Sequence, residues 1–375
     1  MTDTTVISPT PKIDLLSLLP DEAREFIVGL GLPAFREKQI FSHLMKGKSF
    51  AAMQNLPLTL RNLLEERCEW RIPTVAEKQV SRLDGTVKYL FRLLDGACVE
   101  SVLMQYEYGY SLCISSQVGC RMGCRFCAST LGGKERDLLP SEMLGQIIAA
   151  QSDAGVHISH VVMMGIGEPL DNYRNVIRFL RLAAHPERLG LSPRRISLST
   201  CGIAPQILAL AGEEIPVTLS VSLHAATDEA RAAIMPVDRA YPIRVLLSAC
   251  RTYFEKTGRR ISFEYTLLSG VNDSEEDART LARTLRQGLG KMPVHVNLIR
   301  LNRVEERNYE GASTTAANRF IAVLAESGIT ATLRRRLGAD IDAACGQLRR
   351  RTVTGERPVA RPEDIAGKAD VAPKS

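Results

Sequence analysis

The sequence predicts an α/β fold: a partial (β/α)6 barrel preceded by a small all-α accessory unit and a β-hairpin extension. Three observations carry this. From residue 112 to 299, short β-branched or apolar runs alternate with amphipathic helical stretches, the pattern of βαβ units around a parallel sheet. Between residues 15 and about 71, apolar residues instead recur at three- and four-residue spacing. Residues 86–104 alternate strictly about an Asp95-Gly96 turn.

The elements follow in order. Residues 1–12 are polar and expected to be loose. LLSLLPDEAREFIVGL, FREKQIFSHLM and LPLTLRNLLEERCEW read as helices, separated by Pro and Gly, and place an accessory domain at 1–72. Its Arg36, Lys38, Lys46 and Lys48 read equally as nucleic-acid contacts and as solvated helix faces. TVKYLFRL and ACVESVLM form the hairpin, an extension at 73–105. Strands are expected at 112–116, 160–164, 195–199, 217–223, 261–267 and 294–299. Helices are expected near 141–152, 172–184, 203–211, 243–257, 275–287 and 314–327. Right-handed crossovers curl six such units into an open barrel, 106–350. The remainder, 351–375, is rich in charge, Pro and small residues and reads as a disordered tail.

At 375 residues and 45% hydrophobic, the chain can bury a large core. A net charge of +6 permits a nucleic-acid partner without requiring one. No run approaches the roughly 18 apolar residues of a membrane span. The start, MTDTTVISPTPKIDLL, has neither the basic nor the apolar stretch of a secretion signal, so a cytoplasmic location is expected. Nine cysteines in such a chain read as thiols, metal ligands or catalysts. Cys68, Cys98, Cys201 and Cys250 read as packing residues.

Cys120-Arg-Met-Gly-Cys124-Arg-Phe-Cys127 follows the first barrel strand. Three thiolates so spaced can wrap one [4Fe-4S] cube and leave its fourth iron open. Zinc is the rival, but a structural zinc site would want a fourth local ligand. The other strand ends lead into Gly165-Ile-Gly167-Glu168-Pro169, Ser199-Thr-Cys201-Gly202, Ser222-Leu223-His224 and Asn302. Any one alone reads as a solvated strand end; together they line one barrel mouth, where such folds bind ligands.

The cysteine spacing, with an aromatic before the last Cys, is that of the radical S-adenosylmethionine (SAM) superfamily. SSQVGCRMGCRFCASTLGG, MGIGEPL, SLSTCGI, SVSLHA, FEYTLLSGVND, HVNLI and DIDAACGQL resemble the RlmN family of rRNA methyltransferases, sister to Cfr, over about residues 15–350. The resemblance implies a radical SAM barrel whose cluster sits on Cys120, Cys124 and Cys127. It implies SAM contacts at Gly167, Glu168, Ser199, Ser222, Leu223, His224 and Asn302, and SAM cleavage to a 5′-deoxyadenosyl radical. The product it implies is 2-methyladenosine at adenosine 2503 of 23S rRNA, with adenosine 37 of tRNA a substrate of some relatives. An electron donor such as flavodoxin and a monomeric state are expected. Alternatives are Cfr-type methylation of C8, a non-catalytic iron–sulfur RNA-binding protein, and a radical SAM reaction on a small molecule. Arg300 departs from the resemblance, standing where family members often have proline.

Three further residues gain roles. Cys345 reads from sequence as a small buried residue or as a thiol made reactive by Arg334, Arg335 and Arg336. The resemblance implies that it takes a methyl group from one of two SAM molecules used per turnover. Adenine's amidine carbons cannot attack SAM directly, so a carrier is needed. Cys113 matches the thiol that forms a disulfide with Cys345 to release product. Glu100 lies on an apolar strand face, where burial would raise its pKa and suit a general base; an ion pair or solvent exposure is the alternative. It matches the family's proton acceptor. The basic end, QLRRRTVTGERPVAR, reads as phosphate contacts or as an idle tail.

Overall fold

A computed structural model describes residues 11–302, 304, 306–341, 348 and 349. The chain opens on a 3-10 turn at Leu15–Ser17 and three short helices, α1 (Pro20–Gly29), α2 (Arg36–Leu44) and α3 (Leu58–Arg67). Pro20 sits at the first position of α1, where the missing N–H has no helical partner to lose, and the Leu19 N–H donates to the Glu22 carboxylate (2.8 Å). Each helix buries one stripe: Ala23 and Ile27, then Ile40, Phe41 and Leu44, then Leu60 and Leu64. These stripes join the core of the barrel and do not form a core of their own. Asp14 fastens the two parts, accepting from the hydroxyls of Ser17 and Ser141 (2.6 Å each).

Four antiparallel strands follow: β1 (Thr74–Val80), β2 (Val87–Arg92), β3 (Cys98–Tyr106) and β4 (Gly109–Cys113). The hairpin is present at its expected place, with β1 added outside it. A small separate ribbon, β5 (Gln117–Gly119) and β6 (Lys134–Asp137), brackets the cysteine loop. Then the alternation sets in: α4 (Pro140–Ala154), β7 (Ile158–Met163), α5 (Tyr173–Ala184), β8 (Ile196–Thr200), α6 (Ala204–Leu210), β9 (Thr218–Ser222), α7 (Asp228–Ile234), α8 (Ile243–Thr257), β10 (Ile261–Leu267), α9 (Glu275–Leu289), β11 (Val294–Arg300), α10 (Thr314–Glu326) and β12 (Thr330–Leu333).

The sheet runs β1-β2-β3-β4-β7-β8-β9-β10-β11-β12, parallel from β4 onward. It is an open barrel, with β1 on one edge and β12 on the other. The six expected strand–helix units are present from β4 to α10, and β12 adds a seventh parallel strand that carried no sequence signal, because it is only four residues long and none of its side chains is fully buried. The parallel strands are two-faced. Leu198, Leu219, Val221, Phe263 and Val296 belong to the apolar core. The alternate positions are polar and hydrogen-bonded: Ser197 to Ser220 (3.3 Å), Ser262 to His295 (3.0 Å) and Asn297 to Glu264 (2.7 Å).

Candidate active site

The carboxyl ends of the parallel strands open into a cavity of about 360 Å³, and the cysteine loop forms one wall. Several bonds hold that loop. The Cys120 N–H donates to the Gly133 carbonyl (2.8 Å) and the Arg125 N–H to the Ile234 carbonyl (2.9 Å). The Thr130 hydroxyl lies 3.0 Å from the carbonyls of both Cys124 and Cys127. Gly119, at φ +78°, is obligatory, since a Cβ there would lie 2.0 Å from the Gly133 oxygen. Asp171 ties the loop's base to the segment after β7, accepting from Gln117 and Lys134 (2.9 Å each) and from Arg121.

Cys120, Cys124 and Cys127 all face the cavity. Burial pushes the Cys120 thiol up to about 12 and the Cys124 thiol higher still, with the neighbouring thiols adding to the effect. No three His, Cys, Asp or Glu among the described residues converge as the shell of a single ion does. Thiols spread along one wall suit a four-iron cube, in which each sulfur binds a different iron, better than a tetrahedral zinc. Loading would displace the proton from each thiol.

The loop after β7 makes a close approach. Gly167, at φ +110°, lies where a Cβ would sit 2.6 Å from Cβ of Gln117 and 2.7 Å from its nitrogen. Glu168 is buried, its two oxygens accepting from the N–H groups of Leu170 (3.0 Å) and Cys201 (2.7 Å). Burial raises its pKa. His224 is in the left-handed region (φ +58°), and the Asn272 amide donates to its carbonyl (2.7 Å). Its Nδ1 accepts from the Thr266 N–H (2.9 Å), so Nε2 carries the proton. Burial pulls this imidazole down to about 3, and the Phe126 ring stands edge-on to it at 5.1 Å.

One buried arginine joins two of these strand ends. The Arg231 side chain is 0% exposed, pairs with Asp238 (2.8 Å), and donates to the carbonyls of Cys201 (2.7 Å), Leu223 (3.1 Å), Ser222 (3.2 Å) and Tyr241 (3.3 Å).

The comparisons with known proteins fall on the same ground. Residues 114–282 match the model of the Radical SAM superfamily. The "Probable dual-specificity RNA methyltransferase RlmN" of Clostridium tetani is 46% identical, covering 91% of this chain and 97% of its own. The protein of the same description from Alkaliphilus oremlandii is 49% identical, at 91% and 98%. A solved structure titled as a radical SAM methyltransferase from Sphaerobacter thermophilus superposes with a TM-score of 0.85 at 42% identity, over 90% of this chain and 99% of that one. The chain belongs to the RlmN family of radical SAM methyltransferases. Membership implies a [4Fe-4S] cluster and SAM, and the thiols and polar strand ends of the cavity fit both.

Of the residues that the family resemblance singled out, Cys113, Cys120, Cys124, Cys127, Gly167, Glu168, Ser199, Ser222, His224 and Asn302 line this cavity. Leu223 does not; its side chain is in the core, and its carbonyl holds Arg231. Glu100 lies off the cavity wall. It is 1% exposed and forms the ion pair that was the alternative reading: Oε2 is 3.0 Å from Nζ of Lys88, and Oε1 accepts from the Arg349 N–H (2.6 Å). Cys345 lies outside the described residues, and no disulfide joins two described cysteines. Both flanks of its segment are placed. The Gly338 N–H donates to Asp84 (2.8 Å), and Asp340 accepts from the Ser81 hydroxyl (2.6 Å) and the Arg82 N–H (2.7 Å). Leu348 packs on Leu90 and Cys98. The tail expected at 351–375 also falls outside the described residues.

Sequence reasoning missed Arg231, Asp171, Glu264 and a set of cavity methionines that includes Met122, Met163 and Met235. Cys201, read as packing, does pack in an apolar cluster with Ile234, Met235 and Leu268, and it also lines the cavity beside Glu168.

Proposed function

We propose that this enzyme methylates C2 of adenosine 2503 in 23S rRNA, and adenosine 37 of tRNA as well, through a methyl group carried on Cys345. The observation that carries the reading is the single cavity in which the cysteine loop, the Gly167-Glu168 turn, the strand-end groups and Cys113 meet. Support also comes from relatives described as dual-specificity RNA methyltransferases along nearly the whole chain. A [4Fe-4S] cluster and SAM, when bound, supply the 5′-deoxyadenosyl radical.

The chain's own residues do the rest. Cys120, Cys124 and Cys127 hold the cluster. The turn at Gly167 and Glu168, with Ser199, Ser222, His224 and Asn302, orients SAM, while Leu223, expected as a further contact, is engaged through its N–H with Glu264 and through its carbonyl with Arg231. Neutral His224 offers Nε2–H as a donor throughout the physiological range. Cys345 takes up the methyl group from the first of two SAM molecules, and Cys113 releases the product by forming a disulfide with Cys345 as the bond from that sulfur to the RNA-borne carbon breaks, the bond's electrons and a proton ending on the new methyl group. Glu100, held between Lys88 and the Arg349 N–H, is the proton acceptor. A flavodoxin-type donor supplies electrons, and the enzyme works as a cytoplasmic monomer.

The test is anaerobic cluster reconstitution, addition of SAM, reductant and a 23S rRNA fragment, and mass spectrometry of the nucleosides. 2-Methyladenosine that vanishes in Cys345→Ala supports the reading. 8-Methyladenosine would make the enzyme Cfr-like, and no product from rRNA or tRNA would overturn the substrate assignment.

A further inference from the structure

We propose that a groove beside the cavity is a phosphate subsite for the RNA backbone next to the nucleotide being modified, with Arg300 and Arg336 as its ligands. This rests on the RNA-methyltransferase reading above. The groove, about 370 Å³, runs along the amino end of α10 from Gly311 to Thr314. Arg300, Leu301 and Arg336 line both it and the cavity, so the two are continuous.

Its chemistry is that of an anion site. Arg300 leaves the end of β11, and its Nη1 donates to the Thr314 hydroxyl (3.2 Å). Its Nε is buried and has no acceptor among the described residues. No carboxylate pairs with Arg300 or Arg336 among the described residues, although elsewhere the chain's arginines pair freely, as Arg279 does with Glu275. The first-turn N–H groups of α10, a helix of 13 residues, add positive potential at the same place. Arg334 and Arg335 extend the basic wall into the cavity. One carboxylate, the exposed Glu310, also lines the groove. Two guanidiniums outweigh it, and its position makes it a restraint on anion affinity.

A backbone phosphate is the occupant that this continuity favours over a free anion. The base and phosphate of a nucleotide are joined through one sugar, so a base entering the cavity brings a phosphate to its rim. Arginine's planar fork suits that group.

The experiment measures RNA affinity of the cluster-loaded, full-length protein by fluorescence anisotropy between about 50 and 200 mM salt, with a labelled single-stranded rRNA fragment. Each lost single-strand phosphate contact lowers the salt slope by about 0.7, so from the low to the high salt the variant loses about 2.6-fold less affinity than the parent. The double variant Arg300→Ala with Arg336→Ala, which empties the one subsite, is expected to show this reduction, and each single variant a slope between the parent's and the double variant's. Arg279→Ala on α9 should match the parent. Glu310→Gln should tighten binding, and a gain cannot come from misfolding. An unchanged slope in the double arginine variant beside normal binding by the parent overturns the subsite and leaves the RNA reading standing. Displacement by inorganic phosphate as effective as by RNA assigns the groove to a free anion and also overturns it. A parent that binds no RNA sinks the function reading, and the subsite with it.

Discussion

Replacing Arg231 with alanine is the sharpest perturbation the structure offers. The substitution strands Asp238, whose side chain is 3% exposed, and removes the donor from four carbonyls at the ends of β8 and β9 and beyond. Breaking a buried ion pair from one side costs about 3–5 kcal/mol. Each stranded carbonyl adds on the order of 1 kcal/mol unless water reaches it. The loss should therefore be at least about 3 kcal/mol, a large share of the roughly 5–15 kcal/mol that holds a domain folded. Urea unfolding of the cluster-loaded protein, followed by circular dichroism, measures it, and equilibrium dialysis measures SAM affinity alongside. Arg231→Lys keeps the charge but not the planar fork, and should fall between the two. Asp238→Asn placed on top of Arg231→Ala should recover stability by removing the stranded charge. Were Arg231→Ala within about 1 kcal/mol of the parent, with SAM affinity intact, the view that this residue holds the two strand ends together would be wrong.

Gly167→Ala should destabilise by at least about 2 kcal/mol and weaken SAM binding, because the added carbon meets the backbone nitrogen of Gln117 at 2.7 Å in a left-handed conformation; thermal unfolding and dialysis test both. His224, near 3 when folded and about 6.5 when unfolded, takes up its proton first in the unfolded chain as pH falls. Its contribution is complete above pH ~6.5 and drains away towards pH ~3, most of it having gone by pH ~4.5. A His224→Gln variant should flatten that acid limb in a stability-versus-pH series. Lys88→Met should cost about 3–5 kcal/mol by leaving Glu100 without its ammonium partner, and Lys88→Met with Glu100→Leu should regain much of that in the same urea assay.

The barrel was legible because its strands and helices carry their own period. The runs expected at 261–267 and 243–257 coincide with β10 and α8 to the residue. β1 carried no such signal, since six of its seven residues are exposed and no alternation marks an inner face; it is an edge strand, with Lys78 paired outward to Asp153. The cysteine loop and the Gly167 turn were legible because their residue types have few other uses at that spacing. Arg231 was not. In DEARAAI it reads as a solvated helix position, and its partner Asp238 lies beyond the Pro236 break. Glu100's partner was within reach of the sequence. The Asp95-Gly96 turn sets Leu90 opposite Glu100 and Lys88 opposite Val102, so Lys88 and Glu100 are diagonal neighbours on one face.

Residues 338–340 and 348–349 rest on Ser81, Arg82, Asp84, Leu90 and Glu100, all from the antiparallel strands and their turns. Both flanks of the Cys345 segment are thereby coupled to the part of the sheet that ends in its most exposed strand. Opening of that edge and release of these two flanks then belong to one cooperative unit, with a free energy below that of global unfolding. Amide exchange at residues 338–340 and 348–349 should follow the exchange of β1 and β2 under mild denaturant and stay apart from the slow exchange of β9 and β10.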